Sequence, residues 1–203
     1  MKMPIFTIFV LFILALTARL HFSKKEEGKT IKDFWDRESR ANATRMKDIS
    51  NLNYIQIPLE QLPLRREIAD ERLQSYINEI EELSHKKILN LTGMTNTDLK
   101  LEYGAPNITR LTEYDLNFTN LVRAIAKLGE KYLEYGAKED ATIILDYGIQ
   151  IQSDVRLNYE LLAKIYEENC RYDKIEELRV QAMKLNSLSK DPILRSLDKI
   201  MPV

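Results

Sequence analysis

The sequence predicts an all-α protein: an N-terminal transmembrane helix, then a helical domain that ends in antiparallel helix hairpins. Three observations predict it. An apolar run of twenty residues, Met3 to Phe22, stands at the start of the chain with Arg19 as its only permanent charge. Only six Gly and six Pro occur among 203 residues, of which 30% are charged, a balance that suits helices better than a turn-rich sheet. Beyond residue 65, apolar residues recur at three- and four-residue spacing, the period of a helix with one buried face. The chain carries 30 Lys+Arg against 31 Asp+Glu, so no bulk charge draws it to nucleic acid. Its single cysteine, Cys170, excludes an internal disulfide framework and a multi-thiolate zinc site.

Residues 1–22 are read as the membrane anchor. At ~1.5 Å per residue the apolar run spans a hydrocarbon core of ~30 Å, with Arg19 reaching back toward the headgroups. A cleaved signal peptide is the rival, because Lys2 and the core from Pro4 to Leu16 have the charged and apolar parts of one. Against cleavage, a cut after Ala18 puts Leu16 where a small residue is needed, and a cut after Thr17 leaves Thr at the bond. Residues 1–47 hold ten Lys/Arg and five Asp/Glu, so the basic end is the membrane end. Two orientation signals oppose one another. Lys24, Lys25, Lys29 and Lys32 after the span argue for a cytosolic body, whereas Lys2 directly before the apolar core has the form of an export signal. The expectation carried forward is a single-pass protein of the cell membrane with an extracytoplasmic body. Four Asn-x-Ser/Thr sequons begin at Asn42, Asn90, Asn107 and Asn117 and would accept glycans only on a eukaryotic secretory route.

Residues 23–64 form a linker, a juxtamembrane helix and an extended arm. The linker is 23–30, and 31–47 alternates charges without Pro or Gly, as a short helix does. Phe34 and Trp35 on it fit either an anchor at headgroup level or a patch packed on the domain, and the packed patch is the expectation. At 53–64, Tyr54, Ile55, Ile57 and Leu59 surround Pro58 and the segment closes at Pro63, which suits an extended arm or an isolated edge strand. Residues 65–118 then comprise a helix from Arg65 to Leu91 and a long connection at 91–118. Gly93, Gly104 and Pro106 interrupt that connection, leaving room for one short helix. The oxygens of Asn96, Asp98 and Asp115 match no calcium-loop spacing and read as turn caps.

Residues 119–203 hold an internal repeat. When 122–155 is laid on 156–189, Leu128 falls on Leu162, Gly129 on Ala163, Tyr132 on Tyr166, Ala141 on Ile175, Ile144 on Leu178 and Gly148 on Ala182. The pattern resembles the tetratricopeptide repeat family, in which a large residue, a Leu and a small residue precede a Tyr on the first helix of each 34-residue hairpin. Gly136 stands at the turn of the first unit. The second unit departs from the family at Cys170, where Gly suits the turn, and at Arg179, where an apolar residue is usual; Ser153 and Ser187 stand where Pro is frequent. DPILRSLDKI at 191–200 reads as a capping helix with Asp191 as its cap and Pro192 at its first position.

No catalytic constellation emerges from the sequence. His21 and His85 are its only histidines, Cys170 reads as a small filler in a turn, and the carboxylates paired as neighbours point to different sides of their helices. No cofactor and no metal are expected. The resemblance implies a protein or peptide partner held along the first helices of the hairpins. Carried over, that surface is Arg123, Ala126, Glu130 and Leu133 of the first unit with Leu157, Glu160, Lys164 and Glu167 of the second. The expected function is therefore a membrane-anchored, non-enzymatic scaffold or adaptor. A structural subunit of a membrane or envelope complex is the alternative, and an envelope enzyme with an unrecognised carboxylate centre stands behind both.

Overall fold

The computed structural model describes Phe12 and residues 30–201. Apart from Phe12, the expected membrane span lies outside the described residues. Among the described residues helices are the only regular secondary structure, and no helix there is long and apolar enough to cross a membrane. The chain divides into two compact units, Met1–Lys47 with Thr95–Asn107, and Asp48–Met94 with Ile108–Val203.

The first unit is fastened mainly by polar groups. Helix α1 covers residues 30–42 and helix α3 covers Asn96–Tyr103, followed by a 3-10 turn at Ala105–Asn107. Thr95 and Asp98 form a reciprocal capping box at the start of α3, so Asp98 caps a helix as expected. The Lys100 ammonium donates to Glu38 at 2.6 Å and to Asn42 at 2.8 Å, and Arg37 pairs with Asp98. The hydrogen bonds from Lys100 and Thr97 hold the Glu38 carboxyl below the usual carboxylate range. Asn107 is buried and donates to the carbonyls of Lys47 and Tyr103, both at 2.8 Å. Gly104, at φ +93°, lets the chain pass so near Arg45 that a Cβ would lie 2.2 Å from its carbonyl oxygen.

The second unit holds the main core. Helix α2 covers Glu71–Ser84 and buries Leu73, Ile77, Ile80 and Leu83 at the expected spacing. It is shorter than the Arg65–Leu91 helix read from the sequence, because Asp70 caps it by accepting from the Leu73 amide at 2.8 Å. Helix α4, Ile108–Glu134, is one helix of 27 residues. The expected long loop therefore ends at residue 107, and the first hairpin helix begins well upstream of Thr119. Helices α5 (Lys138–Gln150), α6 (Arg156–Glu168), α7 (Tyr172–Met183) and α8 (Lys190–Asp198) complete the unit. Helix α4 packs on α2, α5 and α6, while α6 packs on α5, α7 and α8. The α8 cap is Ser189, so Asp191 and Pro192 fall inside the first turn and not at the cap and first position.

The backbone repeats at the spacing read from the sequence. At the end of α4 the amide of Ala137 donates to Tyr132 O at 2.8 Å and that of Gly136 to Leu133 O at 3.0 Å. At the end of α6, Arg171 donates to Tyr166 O and Cys170 to Glu167 O, at 2.8 and 2.9 Å. Both are Schellman turns, and the residue at the left-handed position is Gly136 (φ +73°) in one and Cys170 (φ +54°) in the other. Cys170 is exposed, a correction to its reading as a filler. Ser153 Oγ accepts from the Val155 amide and Ser187 Oγ from the Ser189 amide, at 3.2 and 3.0 Å. Proline is dispensable there because the hydroxyl shapes the turn. Close approach of α4 and α5 depends on Gly129, where a Cβ would lie 2.5 Å from Leu145 Cδ2.

The arm before α2 joins no sheet, and a 3-10 turn at Leu59–Gln61 interrupts the extended course expected for 53–64. Its Ile55, Ile57, Leu59 and Leu64 pack against the core, and Leu62 belongs to it. The Gln56 carbonyl accepts from the Tyr147 hydroxyl at 3.4 Å, the Pro63 carbonyl accepts from the Tyr132 hydroxyl, and the Arg65 guanidinium meets Asp140 at 2.7 Å. The arm thus runs from the C-terminal end of α5 toward its start.

Candidate partner-binding surface

The expected surface lies on α4 and α6, the first helices of the two hairpins. Arg123, Lys164 and Glu167 are exposed, and Glu130, Leu133, Leu157 and Glu160 are half-buried. Ala126 is only 1% exposed, so it belongs to the packing and not to the surface. Its place on the open stripe of α4 is taken by Lys127, which pairs with Glu130 at 2.8 Å. Ala126 is carried over from the pattern of the family the repeat resembles, not read from burial. Glu160 is also committed, accepting from Ser196 on α8 at 2.8 Å and pairing with Arg156 at 3.2 Å.

A cleft of about 370 Å³ opens at the Arg123 end of this surface. Arg123, Arg156, Asp154 and Ser189 give it polar wall, and its floor is closed by the buried core residues Phe118 and Val122. Arg156 is paired with Glu160 and Asp154 accepts from Ser187 at 2.6 Å, which leaves Arg123 as the cation of the cleft without an ion-pair partner among the described residues. The cleft suits the carboxylate or carbonyl end of an extended segment, since arginine supplies several donors in a fixed fork.

A second groove, of about 400 Å³, lies among α5, α6 and α7. Ile149 and Leu178 give it apolar lining and Asp146, Tyr166, Lys174 and Glu177 its polar lining. The Tyr166 hydroxyl donates to Asp146 at 3.1 Å. Burial pushes the Asp146 carboxyl above the usual carboxylate range, and burial beside that carboxylate pushes the Tyr166 hydroxyl up as well. Lys174 is paired with Glu177 at 2.6 Å. Sequence reasoning passed over Asp146, although it is the one charged residue within the otherwise apolar stretch Ile143–Tyr147.

Other candidate residues stand apart from these surfaces. His85 is an exposed residue at the end of α2. The carboxyls of Glu79 and Asp115 are raised mainly by burial, and they lie on α2 and α4 respectively. No group of three or more His, Cys, Asp or Glu among the described residues is placed to hold a metal ion. Of the four sequon asparagines, Asn107 and Asn117 are buried, and Asn90 is half-buried with its amide directed at the Ile151 carbonyl, so only Asn42 is exposed. The chain matches no protein-family model, no curated protein and no solved structure.

Proposed function

We propose that the chain is a membrane-anchored scaffold of tetratricopeptide-like hairpins that holds a protein or peptide partner on the α4–α6 surface. The observation that carries this reading is the paired Schellman turns and serine turns, repeated at a spacing of 34 residues around matching buried positions. Hairpins of this kind present their first helices as a shared face. Here that face offers Arg123, Lys127, Lys164 and Glu167 in the open, with an arginine-rich cleft at one end. The partner contributes an extended stretch with an acidic or carbonyl group for Arg123. The apolar run at 3–22 supplies the anchor.

The double substitution Arg123→Glu and Lys164→Glu tests the reading. Both side chains are exposed, so the fold tolerates them. In crosslinking from native membranes, the partner captured by the wild type is expected to be lost from the variant, with circular dichroism unchanged. Equal capture by both proteins sinks the proposed surface.

A further inference from the structure

Helix α1 carries an apolar edge that the first unit does not use. Ile31, Phe34 and Trp35 are 57%, 56% and 63% exposed, and at ~100° per residue their three-and-four spacing puts them on one face. Asp33, Asp36 and Arg40 fall on the opposite face by the same count. The helix meets α3 through its other end, where Arg37, Glu38 and Ala41 are engaged or buried. The two rings meet edge to face with centroids 5.4 Å apart. The expectation that they pack on the domain is therefore corrected. An exposed Ile-Phe-Trp edge at the start of a helix needs a covering surface.

We infer that this edge lies in the headgroup layer of the bilayer, holding α1 along the membrane surface. Chain length argues for lipid as the occupant. The apolar run ends at Phe22, and the eight residues from there to Thr30 reach at most ~28 Å when fully extended. With the run in the bilayer, α1 cannot leave the neighbourhood of the headgroups. Charge agrees, since the sequence from 23 to 32 carries Lys24, Lys25, Lys29 and Lys32 against Glu26 and Glu27, while Asp33 and Asp36 fall on the face of α1 opposite the edge. A Trp and a Phe beside such lysines are the residues that partition to this layer.

The inference rests on the anchor reading, and the experiment separates the two. Trp35 is the only tryptophan of the chain, so its emission reports this site alone. Full-length protein is reconstituted in phosphatidylcholine–phosphatidylglycerol vesicles carrying bromine either near the headgroup or near the bilayer centre. A blue-shifted emission, quenched more by the shallow bromines than the deep ones, is expected, together with loss of both effects in the Ile31→Glu, Phe34→Glu double variant. Flotation of the vesicles reads the anchor independently. Protein that floats while Trp35 keeps a water-exposed emission and ready quenching by iodide overturns the inference and leaves the anchor standing. Protein that does not float overturns both. Stronger quenching from the bilayer centre, or a blue shift that vanishes when the protein is diluted with lipid, overturns the inference in favour of insertion or of a second copy.

Discussion

Cys170 holds a left-handed backbone conformation for which its side chain is ill suited, at φ +54°, where the first hairpin places Gly136. Replacing Cys170 by Gly is expected to stabilise the fold by ~1 kcal/mol and Gly136→Ala to destabilise it by a similar amount. Thermal unfolding of both variants checks this, with midpoints moving in opposite directions. A second strained pair sits between α5 and α6. Asn158 is fully buried, donates to the Leu145 carbonyl at 2.8 Å, and leaves its Oδ1 without a hydrogen-bond partner. A Cβ on Gly148 would come within 2.6 Å of that oxygen, so the helices meet here only because residue 148 has no side chain. Asp146 allows a pH test. Its folded carboxyl is raised by burial above the 3.8 of a free aspartate, so between those two values the native state binds more protons than the unfolded chain. Stability from this group therefore falls as pH rises through that window. Asp146→Asn is expected to gain stability over the wild type at neutral pH and to lose the advantage in acid. Urea midpoints of the two proteins at each pH check it. Such side-chain environments were illegible in the sequence, because burial of a lone aspartate depends on the helix that crosses it.

At the scale of elements, the period of the apolar residues was the dependable signal, and local helix propensity misled at the start of α4. Helix α2 and the two hairpins were readable because Leu73, Ile77 and Ile80, and the matched pairs from Leu128/Leu162 onward, keep a helical spacing. The first half of α4 was misread as loop. Its Asn, Thr and Asp residues have weak helix propensity, yet Ile108, Leu111, Phe118 and Leu121 keep the period. Burial of Leu111, Phe118 and Leu121 overrides that propensity. Asn117 even contributes to packing, donating from a buried site to the Lys87 carbonyl at 3.0 Å. Pro58 and Pro63 set the arm apart from the α-helices, but neither its 3-10 turn at Leu59–Gln61 nor its course was readable, since the course depends on Tyr132, Tyr147 and Asp140 far along the chain. Tyr132→Phe removes the hydroxyl that donates to Pro63 O and accepts from the Arg65 amide at 3.1 Å. A loss of ~1–2 kcal/mol is expected, measured by denaturant unfolding. If the arm were only loosely attached, the substitution would leave the midpoint unchanged.

For the whole molecule, attachment to lipid is the expectation with the widest reach, and it concerns residues at the start of the chain. Full-length protein is expected to stay in the membrane pellet through alkaline carbonate washing, and a chain lacking residues 1–22 to be released. Release of the intact chain would remove the anchor and, with it, the role proposed for the scaffold. The candidate surface was legible only in outline: seven of the eight residues chosen from sequence have exposed or half-buried side chains, and Ala126 does not. A pattern carried over from a resemblance gives the helix on which a face lies but not which neighbour will cover its margin.

The placement of α2 and α8 sets how far this architecture can extend. Stacked hairpins end in greasy faces that would accept another hairpin, from the same molecule or a different one. One end of α4–α7 is stoppered by α2 with the arm and the other by α8. End-to-end addition of further hairpins at those two faces is therefore closed off.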